Sequence, residues 1–427
     1  MKLKIRNQKI ENEPARFQLL ISTFCVLLSV ILMAIPQVGR TQAPEEQGLT
    51  PTNFRAPDFP DHGGGLASPP SISAPTPNQN LPGSQAVSPA LPNENQPSAT
   101  WINSPPLTMR QLEGKVVLID FWEYTCINCI RTFEQNKKWF ERYHKYGFEI
   151  IGVHDPEFDI AYRVANVETA VKRFALPYPV LVDPNFQLWR AYHNDSWPSR
   201  FLVDSKGVVR FHRDGEGGDA AFEHAIQRFL LEAHPGLKFP ASYTITPEPN
   251  AFAPSCGSPT QEMYVGDWSG RGILSNREGY HKGKTLRYEL PANVTDGHAA
   301  VSGWWETDKN GMIYRGKRGD AHPAPDELFM RYHARELYAV LNVSRGHPSA
   351  VYIQQDGKDL AAANKGVDVK FDSQGHSYVE VREPRMYYLV QNPAFGAHTV
   401  TLTPTKPGLT VNSFTFGNDC QIDFPHL

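Results

Sequence analysis

Apolar and polar positions divide the chain into four stretches. Phe17 to Ile35 is an uncharged run, close to the ~20 residues that cross a bilayer as a helix. Residues 41–100 are rich in Pro, Ser, Asn, Gln and Gly and lack apolar periodicity. Such a stretch cannot bury enough surface to offset its ordering entropy, and it reads as an extended tether. From Trp101 onward strand-like and helix-like periods alternate, which predicts a central sheet flanked by helices. The strands are expected at Lys115 to Phe121, Phe148 to His154, Tyr178 to Val182, and a hairpin of Arg200 to Asp204 and Val208 to His212 about Ser205-Lys206-Gly207. Helices are expected at Ile130 to Tyr146, Asn166 to Phe174, Phe186 to Tyr192 and Ala220 to Leu231. Beyond Ser258, short alternating runs separated by turns predict an all-β sandwich, with strands at Ala350 to Gly357, Tyr378 to Val381, Met386 to Gln391, His398 to Thr403 and Leu409 to Phe416.

The expected organisation is therefore a cytoplasmic stub and single transmembrane helix (1–36), a disordered linker (37–100), an α/β domain (101–235) and a β domain (256–427). Lys2, Lys4, Arg6, Lys9 and Arg16 precede the apolar run against only Glu11 and Glu13. Basic residues stay in the cytoplasm, which sends the rest of the chain to the periplasm or outside the cell. A cleaved signal peptide is the competing reading, with Thr41-Gln42-Ala43 as a cleavage site, but its apolar core runs to only ~7–15 residues. The net charge is −3, with 42 Lys+Arg mixed among 45 Asp+Glu; this leaves no electrostatic footprint for nucleic acid.

Of the five cysteines, Cys25, Cys256 and Cys420 are isolated, whereas Cys126 and Cys129 form a Cys-x-x-Cys pair between a strand and a helix. A helix N-terminus favours a thiolate, and a second thiol one turn on can close a disulfide, so the pair predicts dithiol–disulfide exchange. A zinc site needs about four ligands, and no second Cys-x-x-Cys or His-x-x-x-His exists here. An inert structural disulfide or two core thiols are the remaining alternatives. Neither a metal nor an organic cofactor is expected, only the redox-active Cys126–Cys129 disulfide.

The string from Asp120 to Phe133, Asp-Phe-Trp-Glu-Tyr-Thr-Cys-Ile-Asn-Cys-Ile-Arg-Thr-Phe, together with the lead-in Trp101 to Thr108 and Leu112 to Leu118, resembles the TlpA/DipZ-like envelope members of the thioredoxin superfamily. The resemblance implies a thioredoxin-like fold over Trp101 to Ala233, with an insertion after its second strand. It also implies that Cys126 attacks, that Cys129 resolves the mixed disulfide, and that Asp120 beneath them exchanges a proton with Cys129. Trp197-Pro198 stands where the family places a cis-proline facing the cysteines, so Pro198 and Trp197 are expected at the substrate; Trp122 is expected there too, as a shield over the site, with ordinary core packing as its alternative. Glu123 replaces the family's common Thr, and a carboxylate near Cys126 would disfavour its thiolate. The Ile-Asn dipeptide carries none of the positive charge by which strong oxidants stabilise their reduced form, which leans the pair toward a reductant.

Thr260 to Gly266 and Phe414 to Gly417 resemble the ends of a DipZ-like C-terminal jelly roll, related in fold to carbohydrate-binding modules. Trp268, Trp304, Trp305 and Tyr387 could stack on a glycan or serve as packing. Cys256 and Cys420 bracket this domain. A disulfide between them would close a loop of about 160 residues, for ~5 kcal/mol of chain-entropy stabilisation, and two separate thiols are the alternative.

The expected activity is membrane-anchored protein-disulfide oxidoreduction. Its partners would be client thiol or disulfide proteins and an upstream thiol donor, and the β domain could bind a glycan or a protein. Two rivals remain. A peroxiredoxin-type peroxidase would want Pro-x-x-x-Thr-x-x-Cys, and no proline stands at that spacing. A surface glycan-binding protein would use the α/β unit only as a scaffold.

Overall fold

The computed structural model describes residues 50–56, 99–243, 257–266, 273–317, 325–343 and 347–418. The expected membrane span, most of the proline-rich tether, Trp268 and the Cys256–Cys420 pairing lie outside these residues. Among the described residues no helix is long and apolar enough to cross a membrane.

The first region is a seven-stranded mixed sheet. Its strands are β1 (Thr50–Arg55), β2 (Thr100–Ile102), β3 (Val116–Trp122), β4 (Phe148–His154), β5 (Val180–Val182), β6 (Ser199–Val203) and β7 (Val208–Asp214), ordered β1-β7-β6-β3-β4-β5-β2. β3, β4 and β5 run parallel, and the other pairings are antiparallel. Helix α1 (Ile127–Tyr143) follows β3, α2 (Val164–Arg173) and the short α3 (Gln187–Ala191) lie between β4 and β6, and α4 (Asp219–Ala233) closes the domain.

β3 is buried along its whole length because both faces of the sheet are covered. Val116, Leu118 and Trp122 join the core made with α1, α2 and α4, whereas Val117, Ile119 and Phe121 join a second core with Leu188, Trp189 and Tyr192 at α3. By the same alternation Asp120 faces the α1 side. On α1 the spacing of Cys129, Phe133 and Asn136 sets all three on the inward, buried stripe. The helix starts three residues earlier than its apolar period suggests, because Cys126 caps it, and Tyr143 is followed by a tight turn through His144–Tyr146 that ends at Gly147 with φ 95°.

The second region is all β. Its strands are β8 (Met263–Tyr264), β9 (Thr285–Tyr288), β10 (Ala299–Asp308), β11 (Gly311–Tyr314), β12 (Glu327–Asn342), β13 (Ser349–Gln355), β14 (Lys358–Asp359), β15 (Val369–Phe371), β16 (Ser377–Val381), β17 (Arg385–Pro404) and β18 (Thr410–Gly417). They form one eleven-stranded sheet, β15-β16-β13-β17-β12-β10-β11-β18-β8, with β9 on β10 and β14 on β13. β12 also pairs with β18, so β12, β10, β11 and β18 make a closed ring of pairings around a shared core. The expected sandwich is thus one sheet folded on itself. Met386–Gln391 and His398–Thr403, read as two strands, are one, because β17 continues along β12 through an irregularity opposite Arg335.

The two regions share a core. Along β12, Leu337, Ala339 and Leu341 enter the core of the β domain, whereas Tyr338 and Val340 join Phe133 and Ala170 in the core of the α/β domain. Tyr264 and Met386 do the same. β12 therefore alternates buried and half-buried or exposed residues through Ala334 and is buried at nearly every position beyond it.

Candidate active site: a dithiol between the two domains

β3 ends at Trp122, and the turn Glu123-Tyr124-Thr125 delivers Cys126 to the head of α1. The turn is held from within: the Glu123 carboxylate accepts from the Thr125 backbone N–H at 2.5 Å and from the Thr125 hydroxyl, and the Cys126 N–H donates to the Glu123 carbonyl at 3.3 Å. Cys126 is half-buried and Cys129 buried, both as free thiols. The Cys129 backbone N–H donates to Cys126 Sγ at 3.2 Å, so the first sulfur is itself the cap of the helix.

Burial pushes the Cys126 thiol above its ordinary value, offset by hydrogen bonds from Cys129 and reinforced by the charges of Glu157 and Glu262. Burial pushes Cys129 higher still, with Cys126 and Asp120 adding to the effect. The carboxylates that oppose the Cys126 thiolate are therefore not Glu123, which is turned into its own loop with Oε1 3.7 Å from His154 Nε2. Glu157 follows β4, and Glu262 leads into β8 of the other domain. Both bond the hydroxyl of Tyr264, Glu262 at 3.0 Å, and burial together with Glu262 holds Glu157 well above the usual carboxylate range.

Asp120 is fully buried. Its Oδ2 accepts from Asn136 Nδ2 at 2.9 Å, and its Oδ1 has no hydrogen-bond partner. Burial raises its pKa to about 7, against the opposing pull of Arg200 and of the Asn136 hydrogen bond. A carboxyl on β3 that faces α1, titrates near neutrality and is close enough to perturb Cys129 can give and take a proton at that sulfur.

Pro198 follows a cis peptide bond from Trp197 and immediately precedes β6, which pairs with β3 through Phe121–Ser199 and Asp120–Arg200. It therefore lies at the end of the sheet that carries the cysteines. Trp197 is half-buried and contacts Trp189 with ring centroids 4.7 Å apart, and it packs against both cores of the α/β domain, as Cys126 does against one of them. Trp122 corrects the reading that placed it at the substrate. It is wholly buried, edge-on to Phe133 at 5.1 Å and to His154 at 5.0 Å, and it backs the site from within. Gly152 on β4 makes room for it, since a Cβ there would stand 2.9 Å from Trp122 Nε1.

Of the β-domain aromatics that could stack on a glycan or serve as packing, two are buried. Trp305 is fully buried, with Nε1 donating to the Ser302 carbonyl at 2.7 Å. Tyr387 is buried beneath the Arg385 guanidinium, which sits 3.7 Å from its ring centroid. Both serve as packing.

Sequence reading missed the contribution of the β domain. Arg131, two residues after Cys129, is buried and bonds Glu336 at 3.1 Å, the Tyr338 hydroxyl at 3.3 Å and Glu216 at 3.4 Å. The signal available was the run Leu337 to Leu341, which is apolar at both parities where Met330 to Arg335 alternate.

Comparison with known proteins agrees with this architecture. Residues 86–212 match the AhpC/TSA family and residues 260–417 match the thioredoxin-like C-terminal domain. Protein DipZ of Mycobacterium tuberculosis is 31% identical over 321 residues, covering 74% of this chain and 41% of the relative. Thiol-disulfide oxidoreductase ResA of Halalkalibacterium halodurans is 30% identical over 110 residues, covering 26% of this chain and 60% of the relative. Among solved structures, a putative thiol:disulfide interchange protein DsbE from Chlorobium tepidum aligns over 42% of this chain and 96% of its own, at 20% identity and a TM-score of 0.28. The chain spans less than half the length of its DipZ relatives. Two regions of the chain thus match two thioredoxin-related family models, and the chain is similar to DipZ across both of them and to ResA over a shorter stretch.

Proposed function

We propose that the chain is a protein-disulfide oxidoreductase that reduces client disulfides through Cys126 and Cys129. The observation that carries this reading is the half-buried Cys126 sulfur capping α1, with Cys129 one turn below it and Asp120, titrating near 7, beneath both. The Cys126 thiolate attacks one sulfur of a client disulfide, forms a mixed disulfide and expels the other client sulfur as a thiolate. Asp120 then takes the Cys129 proton. The Cys129 thiolate attacks Cys126, the second client thiol leaves, and the pair is left as a disulfide that has passed two electrons to the client. An upstream thiol protein returns them.

The reducing direction rests on the surroundings of Cys126. Strong oxidants owe their potential to a stabilised thiolate in the reduced form. Here burial and two carboxylates work against that thiolate. The uncharged run from Phe17 to Ile35 and the basic residues before it support anchorage by one helix, with both domains outside the cytoplasm.

The test is trapping. Cys129→Ser incubated with a disulfide-bearing client should accumulate a mixed disulfide on Cys126, and Cys126→Ser should accumulate none. Equal trapping by both variants, or by neither, overturns the assignment of roles. Resistance of the full chain to alkaline extraction from membranes tests the anchor.

A further inference from the structure

A cavity of about 410 Å³ opens beside the Cys126 turn, between the two domains. Tyr124, Ile127 and Ile130 line it from the turn and α1, and Val343, Val367 and Met386 line it from the β domain. Neither domain alone encloses it. This volume falls in the roughly 300–1,000 Å³ range of small-ligand sites, with room for a few side chains and none for a folded partner.

Its rim is cationic. Arg163, Arg173, Arg382 and Arg385 line it together with the carboxylates Asp368 and Glu383, and Arg382 is paired with Glu380 at 2.5 Å. Asp368 is engaged by Arg385 through two bonds of 2.7 and 3.1 Å, and Glu383 lies 3.4 Å from Arg385 and 3.7 Å from Arg173. Both acids are thus consumed by two arginines that stand side by side, and burial together with the Arg385 charge lowers the pKa of Arg173. Exposed Arg163 has no carboxylate at ion-pairing distance among the described residues. Three of the four lining arginines are thus in ion pairs and Arg163 is left for an anionic group on a ligand seated against the apolar wall.

We propose that this cavity is a client-docking subsite for an extended polypeptide segment bearing a carboxylate side chain next to an apolar one. The apolar side chain lies against Ile127, Ile130 and Met386, the carboxylate meets Arg163, and the client disulfide is held at Cys126 one residue away from the cavity wall. The inference rests on the proposed reductase function and names the class of client it prefers.

The test uses the full chain and two short peptides that differ only in Asp-Leu against Lys-Leu beside the cysteine position. Cysteine-free versions report binding by fluorescence anisotropy, and disulfide versions report KM and kcat for reduction. The Asp peptide should bind about tenfold tighter than the Lys peptide at low salt, and its lower KM should account for its preference. Arg163→Gln should erase that preference in binding, and Arg163→Glu should reverse it. Equal binding of both peptides overturns the proposal, even if both disulfides are reduced and the reductase reading stands. Binding of inorganic phosphate that the Asp peptide does not displace also overturns it. Preferential binding of the Asp peptide without reduction of either disulfide keeps the subsite and overturns the reductase reading.

Discussion

Arg131, one turn into the helix that begins at Cys126, donates to Glu336 on strand β12 of the β domain at 3.1 Å, with both side chains almost wholly buried. The redox helix is thereby bonded to the second domain two residues past Cys129. A charge removed from water needs a partner in place, and deleting one member leaves the other uncompensated.

Glu336→Ala should therefore destabilise the chain by about 3 kcal/mol, at the low end for a broken buried pair because Glu216 also reaches Arg131. Urea denaturation followed by tryptophan fluorescence checks this. The shared core of Tyr338, Val340 and Met386 with the α/β domain predicts a single transition for both domains in the unaltered chain. Two separated transitions would show that the domains are independent.

Asp120 links stability to pH. Its folded pKa of about 7 lies above the ordinary 3.8, so between those values the folded state keeps a proton that the unfolded state has released. The cost of burying it is absent below about pH 4, grows through that window, and is complete above about pH 7. Asp120→Asn cannot ionise and should be more stable than the unaltered chain at pH 8, by at most about 4 kcal/mol, with the gap closing toward pH 4. The same variant should prolong the mixed disulfide on Cys126, because Cys129 loses its proton acceptor. Stability profiles parallel at all pH values would contradict the buried ionisation.

Glu262 reaches the redox site from the other domain. Glu262→Gln removes one of the charges that oppose the Cys126 thiolate, so the pH profile of Cys126 alkylation should move to lower pH and the rate at neutral pH should rise. Glu123→Gln should act otherwise, since that carboxylate is spent on Thr125. Its main effect should be on stability, through the loss of a buried charge-assisted hydrogen bond, at about 1.5–3 kcal/mol. Iodoacetamide kinetics from pH 5 to 10 separate the two residues.

What could be read from the sequence was local in the chain. Strand, turn, Cys-x-x-Cys and helix are consecutive, so the placement of Cys126 and Cys129 follows from spacing and the two periodicities, whereas the place of Asp120 beneath them came from resemblance. Pro198 came from resemblance, because no periodicity marks a proline before a hairpin strand as part of a site about seventy residues upstream. Trp122 misled because an aromatic beside two cysteines suggests contact with substrate, and only the packing of Phe133, His154 and Gly152 shows it enclosed. Glu157, Glu262 and Tyr264 were invisible because they converge from different domains, more than a hundred residues apart in the chain. β17 was divided at Asn392 to Gly396, where turn-forming residues hid a strand that continues through its irregularity.

The central claim is that Cys126 and Cys129 form a reductant, poised by burial and by carboxylates from both domains. The reduction potential of the pair tests it most directly, measured on the full chain equilibrated in thiol buffers and trapped by alkylation. The account predicts a value below about −220 mV, on the thioredoxin side of the scale. A value near about −120 mV, where the reduced form is the stabilised one, would contradict it.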